Sequence, residues 1–573
     1  RSELAARGLD GAILTTADAW QSEDPAHHDR GIRWLTGFTG SLAHALVLSD
    51  RAVFLIDGRY TIQAAREVDG RDWSLGHFHE QPVGRQLRDH AAGLRIGFDP
   101  LNWSVAQIEA IRAAAPRVDL IATDDLYAPV WTDRPDAPAA PVTAMPEELA
   151  GRSSQDKRTW LAGELRAADA ELWVETRPDN IAWMLNLRGG DVPMNPVPLS
   201  FALFSADGEA DWFVDSRKLA NGVPEGLRTS SPAEFLPCLA RQGGRRVAFD
   251  PTFTPQAVSD SLTGAGATVL PLPGIITIEK SRKNAAELAG FDAAHLDDGV
   301  ALARFCHWLS VELPVREAAG QPLDEWEVAE KLADFRARSP RFLEPSFATI
   351  AATGSNAALC HYHPAADSPA RLSPRELFLC DSGGQYQGGT TDVTRTMAFT
   401  SVPDDIRRIA TAVLRGFIAL SSARFPAGTF PHQLDVLARA PLWQMELDYD
   451  HGTGHGVGHR LLVHEHPHRL HQAANPFPLA AGHVLTIEPG YYAEGAWGIR
   501  IENQVRVVER GPGFLGFEPM TLVPIDLSLF DLAALSPEER DWLNAYHARV
   551  AAALLPHLSD PEAEWLAAAV APR

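Results

Sequence analysis

Three short stretches occur twice in the first half of this chain, in the same order and at nearly constant separation. Ile32-Arg33-Trp34-Leu35 returns as Ile181-Ala182-Trp183-Met184. Phe54-Leu55-Ile56-Asp57-Gly58-Arg59 returns as Trp212-Phe213-Val214-Asp215-Ser216-Arg217, and Arg95-Ile96-Gly97-Phe98-Asp99-Pro100 as Arg246-Val247-Ala248-Phe249-Asp250-Pro251. The offsets are 149, 158 and 151 residues, the length of a domain. Each copy alternates apolar strand-like runs with Ala-rich helical stretches such as 105–115, the pattern of an α/β domain. Two related α/β domains therefore precede the rest of the chain. Between them Pro135, Pro138, Pro141 and Pro146 stiffen an exposed connector over 132–146. A second break falls at 271–278, ahead of a helical segment running from Ser281 to about 313. The expected division is 1–138, 139–276 and 277–573.

The third part holds the chemistry. Asp381 and Asp392 stand eleven residues apart, His455 lies within His-Gly-Thr-Gly-His-Gly-Val-Gly, and Glu488 and Glu502 follow, fourteen residues apart. Leu377–Asp381 reads as a strand ending at an acid, 382–390 as Gly-rich turn material and 391–399 as a returning strand. That antiparallel pair brings both aspartates to one place. A second pair, 483–488 with 498–508, carries the glutamates. Four carboxylates buried together repel one another, and two divalent cations cancel their charge, with one imidazole completing the set. The donors are oxygen-rich and without thiolate, which suits Mn²⁺, Co²⁺ or Zn²⁺. The chain reads as a two-metal hydrolase. His361, His451 and His464 are the candidate donors to a developing oxyanion.

Other motifs are rejected on physical grounds. His464-Glu465-His466-Pro467-His468 matches His-Glu-x-x-His, but that motif needs one uninterrupted helix and Pro467 forbids it. The glycines around His455 recur at every second position, unlike a dinucleotide fingerprint. His468 and His471 read as surface residues. A net charge of −23 argues against nucleic acid as a partner. No run of ~18 apolar residues marks a membrane span. Four cysteines in 573 residues, without metal-type spacing, read as reduced thiols of a cytoplasmic protein. A terminal helix is expected from Pro537 to about 555, packing Leu543, Tyr546, His547 and Val550.

The stretches Asp-Ser-Gly-Gly-Gln-Tyr, Gly-Thr-Thr-Asp-Val-Thr-Arg-Thr, His-Gly-Thr-Gly-His-Gly-Val-Gly, Glu-Pro-Gly-Tyr-Tyr and Gly-Ile-Arg-Ile-Glu-Asn closely resemble the aminopeptidase P family. The likeness runs along nearly the whole chain and is greatest to the long, three-domain cytosolic branch. It implies two creatinase-like N-terminal α/β domains followed by a C-terminal pita-bread catalytic domain of α+β type with a C-terminal extension. It also implies Xaa-Pro aminopeptidase activity on peptides with proline second, through a hydroxide shared by two divalent ions. Mn²⁺ is the first choice, with Zn²⁺ and Co²⁺ as alternatives. By the same resemblance Asp381 holds one metal, Asp392 and Glu502 bridge both, and His455 and Glu488 hold the other. Glu488 is the acid/base, while His361 and His464 contact substrate and His451 lines the site. Arg59 contacts substrate in the site of a neighbouring subunit, which makes the protein a homodimer. Arg500 holds the carboxylates from behind, and Tyr362 or Trp497 forms an apolar wall for the proline ring. The alternatives are a prolidase-type dipeptidase and, in another class, an inactive pita-bread scaffold that binds peptides.

Overall fold

A computed structural model describes residues 1–223 and 226–573. It divides into two compact units, Arg1–Thr277 and Ile278–Arg573. No helix among the described residues is long and apolar enough to cross a membrane.

The first unit holds two six-stranded mixed sheets. One is built from Gly11–Thr15, Ala43–Leu48, Ala52–Ile56, Ser74–His77, Arg95–Phe98 and Asp119–Ala122. The other is built from Leu172–Glu175, Phe201–Ser205, Ala210–Phe213, Arg228–Ser230, Arg246–Phe249 and Thr268–Pro271. With the strands of each sheet numbered in chain order, both read 4-3-2-1-5-6. In both, strands 1, 2 and 3 pair antiparallel and the remaining neighbours pair parallel. The repeated stretches occupy corresponding positions: the third copy pair is strand 5 of each sheet. Ala52–Ile56 is apolar at every position and wholly buried, as a strand covered on both faces must be.

The two copies also meet at corresponding residues. Val105 N–H donates to Thr254 O and Gln256 N–H to Trp103 O; Ala106 N–H donates to Pro251 O and Ala257 N–H to Pro100 O. Each member of these pairs maps onto its counterpart by adding or subtracting 151. The contact is thus self-complementary, as in a two-fold dimer. It binds the N-terminal turns of helices Val105–Ala114 and Gln256–Gly264. Ser104 and Gln107 close a capping box on the first.

In the second unit a helix, Ala285–Ala318, starts at Asn284, whose side chain accepts from the Ala286 and Glu287 N–H groups. It begins four residues later than expected, because Ser281 closes a separate helix, Ile275–Ser281, and Asn284 with Glu287 caps the long one. A three-stranded sheet joins Ile350–Thr353, Phe378–Ser382 and Val393–Met397, all antiparallel. A six-stranded sheet runs in the order Arg424–Pro426, Phe514–Pro519, Asn503–Glu509, Val484–Ile487, Gly454–Gly456, Glu465–Leu470. Helices Asp404–Ser421 and Pro537–Leu554 cover it, and Leu543, Tyr546 and Val550 join its core. The strand expected over 498–508 is broken. Trp497–Arg500 turns back on Gly490–Ala493, while Asn503–Glu509 pairs with Val484–Ile487. Glu502 sits in the break.

His44 in the first sheet carries a pH dependence. It is 4% exposed, stands 4.7 Å from both the Phe78 and Trp103 rings, and neither ring nitrogen has a partner. Burial pushes its pKa down to about 3. The unfolded chain protonates this residue below its ordinary value of 6.5, whereas the folded one resists. Stability is therefore complete above that value and falls on acidification toward 3, by about 1.4 kcal/mol per pH unit. Between pH 6.5 and 5 the loss is about 2 kcal/mol, and His44→Phe removes it. Amide hydrogen exchange of the strand Ala43–Leu48 at the two pH values, in both proteins, checks this.

Candidate metal centre

The two aspartates reach one another because their strands pair. Asp381 lies in Phe378–Ser382, opposite Thr394, and Asp392 immediately precedes Val393–Met397. Asp392 N–H donates to Gln504 Oε1 at 2.9 Å, which ties this sheet to the other. His455 lies in Gly454–Gly456, beside a register shift in its pairing with Glu465–Leu470. Gly454 is required there: a Cβ would stand 2.0 Å from Thr486 O. Glu488 follows Val484–Ile487, its N–H donating to Thr453 O at 2.8 Å. Glu502 is fastened to the aspartate sheet at both ends: its N–H donates to Thr394 O at 3.1 Å, and its Oε2 accepts from Thr394 Oγ1 at 2.8 Å.

One ligand atom each from Asp392, His455 and Glu502 lies within 4.8 Å of the others. His455 Nε2 is 3.4 Å from Asp392 Oδ2 and 3.6 Å from Glu488 Oε1. Its Nδ1 is 2.9 Å from Gly456 O, so Nδ1 carries the proton and donates. Nε2 then presents its lone pair to the acids, as a metal-ligating imidazole does.

The electrostatics are unfavourable for protein alone. Burial raises the pKa of Asp392 to about 6. Burial, then the charges of Asp392, Asp381 and Glu488, pushes Glu502 well above the usual carboxylate range. Burial also raises Glu488 and Asp381, against the opposing pull of His455 on the one and Arg500 on the other. Arg500 Nη2 donates to Asp381 Oδ2 at 2.6 Å. Two buried oxygens, Asp381 Oδ1 and Glu502 Oε1, have no hydrogen-bond partner. Buried acceptors left empty are rare in proteins. These donors fit two divalent cations: four carboxylates carry −4 and two dications +4, with hard oxygen ligands and one imidazole.

The remaining residues singled out from sequence have distinct places. The His464 ring stands at 82° to that of His455, with centroids 4.3 Å apart. Arg500 touches much of the cluster's back: Nε donates to Thr394 Oγ1 at 3.1 Å, Nη1 to Tyr492 Oη at 2.6 Å and Nη2 to Cys360 O at 3.3 Å. His361 follows that carbonyl. His451 has Nδ1 2.7 Å from Gly452 O and Nε2 2.8 Å from Tyr492 Oη. Since His451 Nδ1 donates to the Gly452 carbonyl, its Nε2 accepts from the Tyr492 hydroxyl. Tyr362 is seated in a layer with Ile350, Ala352, Ala357 and Leu379, and its hydroxyl donates to Glu325 at 2.5 Å. Half-buried Trp497 stands 5.6 Å from the Tyr491 ring. Arg59, in the first unit, is paired with Asp57 and Glu23. His468 is not a surface residue: it is 2% exposed and its ring lies 4.0 Å from that of His483. Pro467 and His468 are both buried, and residues 465–470 form a strand, not a zinc-binding helix.

Thr394, Gln504 and Tyr492 escaped the sequence reading. Tyr492 stood within the Glu-Pro-Gly-Tyr-Tyr stretch, while nothing local distinguishes Gln504.

Comparison with known proteins agrees with this geometry. Residues 291–509 match the model of metallopeptidase family M24, and 513–573 match a C-terminal region of the same peptidases. Residues 1–130 and 133–287 each match a creatinase/prolidase N-terminal domain. Aminopeptidase P1 of Arabidopsis thaliana is 34% identical over 98% of this chain and 96% of its own. An Xaa-Pro aminopeptidase of Caenorhabditis elegans is 36% identical over 98% and 95%. The crystal structure of an X-prolyl aminopeptidase from that organism, described as a cytosolic enzyme with a di-nuclear active site, superposes with a TM-score of 0.93. That match has 34% identity over 99% of this chain and 95% of that one. An Xaa-Pro dipeptidase of Bacillus anthracis shares the fold over 65% of this chain and 99% of its own, at 22% identity and TM-score 0.53.

The repulsion among the acids has a signed consequence. Glu502→Gln lowers bound divalent metal below two per chain. In chelator-treated protein it stabilises, because it replaces a carboxyl whose ionisation is opposed by burial and by three neighbouring acids. In metal-loaded protein it destabilises. Thermal melts with and without chelator, together with elemental analysis, read both signs.

Proposed function

This chain belongs to the Xaa-Pro aminopeptidases of metallopeptidase family M24, and we propose that its five-ligand cluster hydrolyses the N-terminal Xaa-Pro bond of peptides. The observation that carries this is the pair of orphaned oxygens on Asp381 and Glu502, in a chain that matches aminopeptidases P from end to end.

Asp381, Asp392, His455, Glu488 and Glu502 would hold two divalent cations. When bound, the cations supply positive charge that neutralises the acids, promotes ionisation of water and polarises a carbonyl. Mn²⁺ is the preferred occupant, with Zn²⁺ and Co²⁺ as alternatives, on the strength of the hard donor set. The rest is work for the chain's own groups. Glu488, its pKa raised by burial, takes a proton from the attacking water and returns it to the prolyl nitrogen as the C–N bond breaks. That nitrogen needs the proton because it belongs to a tertiary amide and leaves as a secondary amine. His464, against the His455 ring, donates to the carbonyl oxygen as negative charge develops. His361 orients the scissile end. Arg500 keeps Asp381 ionised and directed at the cations, and the Tyr492–His451 pair holds Arg500 in place.

The division at 138 and 276 belongs to the same proposal, supported by the identical strand order of the two N-terminal sheets. Assembly into a homodimer, with Arg59 reaching the partner's site, follows the family resemblance. A cytoplasmic location accords with a related enzyme described as cytosolic and with four unbridged cysteines.

The assay uses metal-stripped protein refilled separately with Mn²⁺, Zn²⁺ and Co²⁺, offered Ala-Pro-Ala, Ala-Pro and Ala-Ala-Ala. The expected result is release of Ala from Ala-Pro-Ala at least ~100-fold faster than from Ala-Ala-Ala, a discrimination of about 2.7 kcal/mol. Comparable turnover of Ala-Pro marks a prolidase-type dipeptidase. Tight peptide binding without turnover in any metal marks an inactive scaffold.

A further inference from the structure

One buried residue ties together four points of the loop that carries His361. Glu325 opens helix Glu325–Arg336 and is fully buried, at 0% exposure. Its Oε1 accepts from Thr353 N–H at 2.7 Å and from Asn356 Nδ2 at 3.1 Å. Its Oε2 accepts from the Tyr362 hydroxyl at 2.5 Å, and Asn356 Nδ2 lies 3.0 Å from that hydroxyl oxygen. Its main-chain N–H donates to Ala370 O at 2.9 Å, next to the bridge between Asp324 and Arg371. The carboxylate thus grips the start and middle of the loop while the backbone grips its end. Between those points the chain past the turn Gly354–Ala358 has neither helix nor strand.

The same loop rests on the metal centre's support. A Cβ on Gly498 would stand 1.9 Å from Ala357 O, so the turn lies directly on the strand that ends in Arg500. Cys360 O accepts from Arg500 at 3.3 Å, and Arg500 holds Asp381. His361 lies between this carbonyl and Tyr362. The apolar layer of Ile350, Ala352, Ala357 and Leu379 seats the Tyr362 ring; its hydroxyl is the one polar handle, and Glu325 takes it.

We propose that Glu325, through Tyr362, is a positioning residue that fixes the 356–370 loop so that His361 stands ready at the metal centre. The role of His361 rests on the aminopeptidase reading above; the clamp itself does not. Tyr362 then acts as the loop's anchor.

Tyr362→Phe deletes the hydroxyl and keeps the ring; Glu325→Gln weakens the acceptor at nearly constant volume. In metal-loaded full-length protein both variants are expected to lower kcat/KM on Ala-Pro-Ala about tenfold, the scale of one hydrogen bond to a charged group. Bound metal stays at the wild-type level. Neither variant lowers activity further in a His361→Ala background, since both act through that histidine. Amide exchange over 356–370 quickens about tenfold while that of Phe378–Ser382 is unchanged. Losses that add to that of His361→Ala, or unchanged exchange in the loop, overturn the proposal. The exchange measurement decides the clamp even in a chain without peptidase activity, so its failure and that of the aminopeptidase reading are separable.

Discussion

Four mutually repelling carboxylates, three of them buried, are the constraint that the second unit is organised around. Burial alone opposes their ionisation, and each makes the next harder to ionise. Arg500 is a direct counter-ion to Asp381. The remaining imbalance is of the kind that divalent cations would relieve. A protein-only solution, such as a second buried arginine, would satisfy the orphan oxygens and leave nothing for metal to do. Poor internal pairing is thus the functional state of this cluster, and the surrounding structure has to tolerate it.

That tolerance comes from how the two sheets are joined. Thr394 takes both the main chain and the side chain of Glu502. Beside it, Arg395 donates to Glu502 O, Thr394 O and Asn503 Oδ1, and also to Pro524 O, Val523 O and the Tyr546 hydroxyl. Tyr546 belongs to helix Pro537–Leu554, so the region after Pro519 reaches back to the seam that carries Glu502. Every one of these bonds is buried, where their partners cannot exchange for water. The ligands are held by rigid sheet and by a satisfied guanidinium, and the strain of like charges is spread over that frame. The C-terminal region is in this sense part of the metal centre's support.

The N-terminal unit obeys a different logic. Its two sheets share strand order, pairing direction and a self-complementary contact in which matching residues exchange main-chain bonds. Duplication of one domain explains all three at once: identical folds present identical surfaces, and a two-fold contact is the simplest way for two such surfaces to meet. The copies have since diverged in detail. Arg59 is paired with both Asp57 and Glu23, whereas its counterpart Arg217 is largely exposed on Asp215 alone.

Residue types and spacing were sufficient to single out the five candidate ligands and the duplication, because donor identity and strand-ending acids are local properties. Pro467 alone was enough to discard a zinc-protease helix. What the chain order could not reveal was pairing. It concealed that the strand expected over 498–508 breaks to present Glu502, because the break is imposed by Thr394 more than a hundred residues earlier. It hid that His468 turns inward onto His483, since alternation says which residues share a face but not which face meets the core. Nor did it show that the Tyr362 hydroxyl donates to Glu325, thirty-seven residues upstream. The chemistry of the cluster is written in the side chains. The rigidity that lets like charges stand together is decided only when distant strands meet.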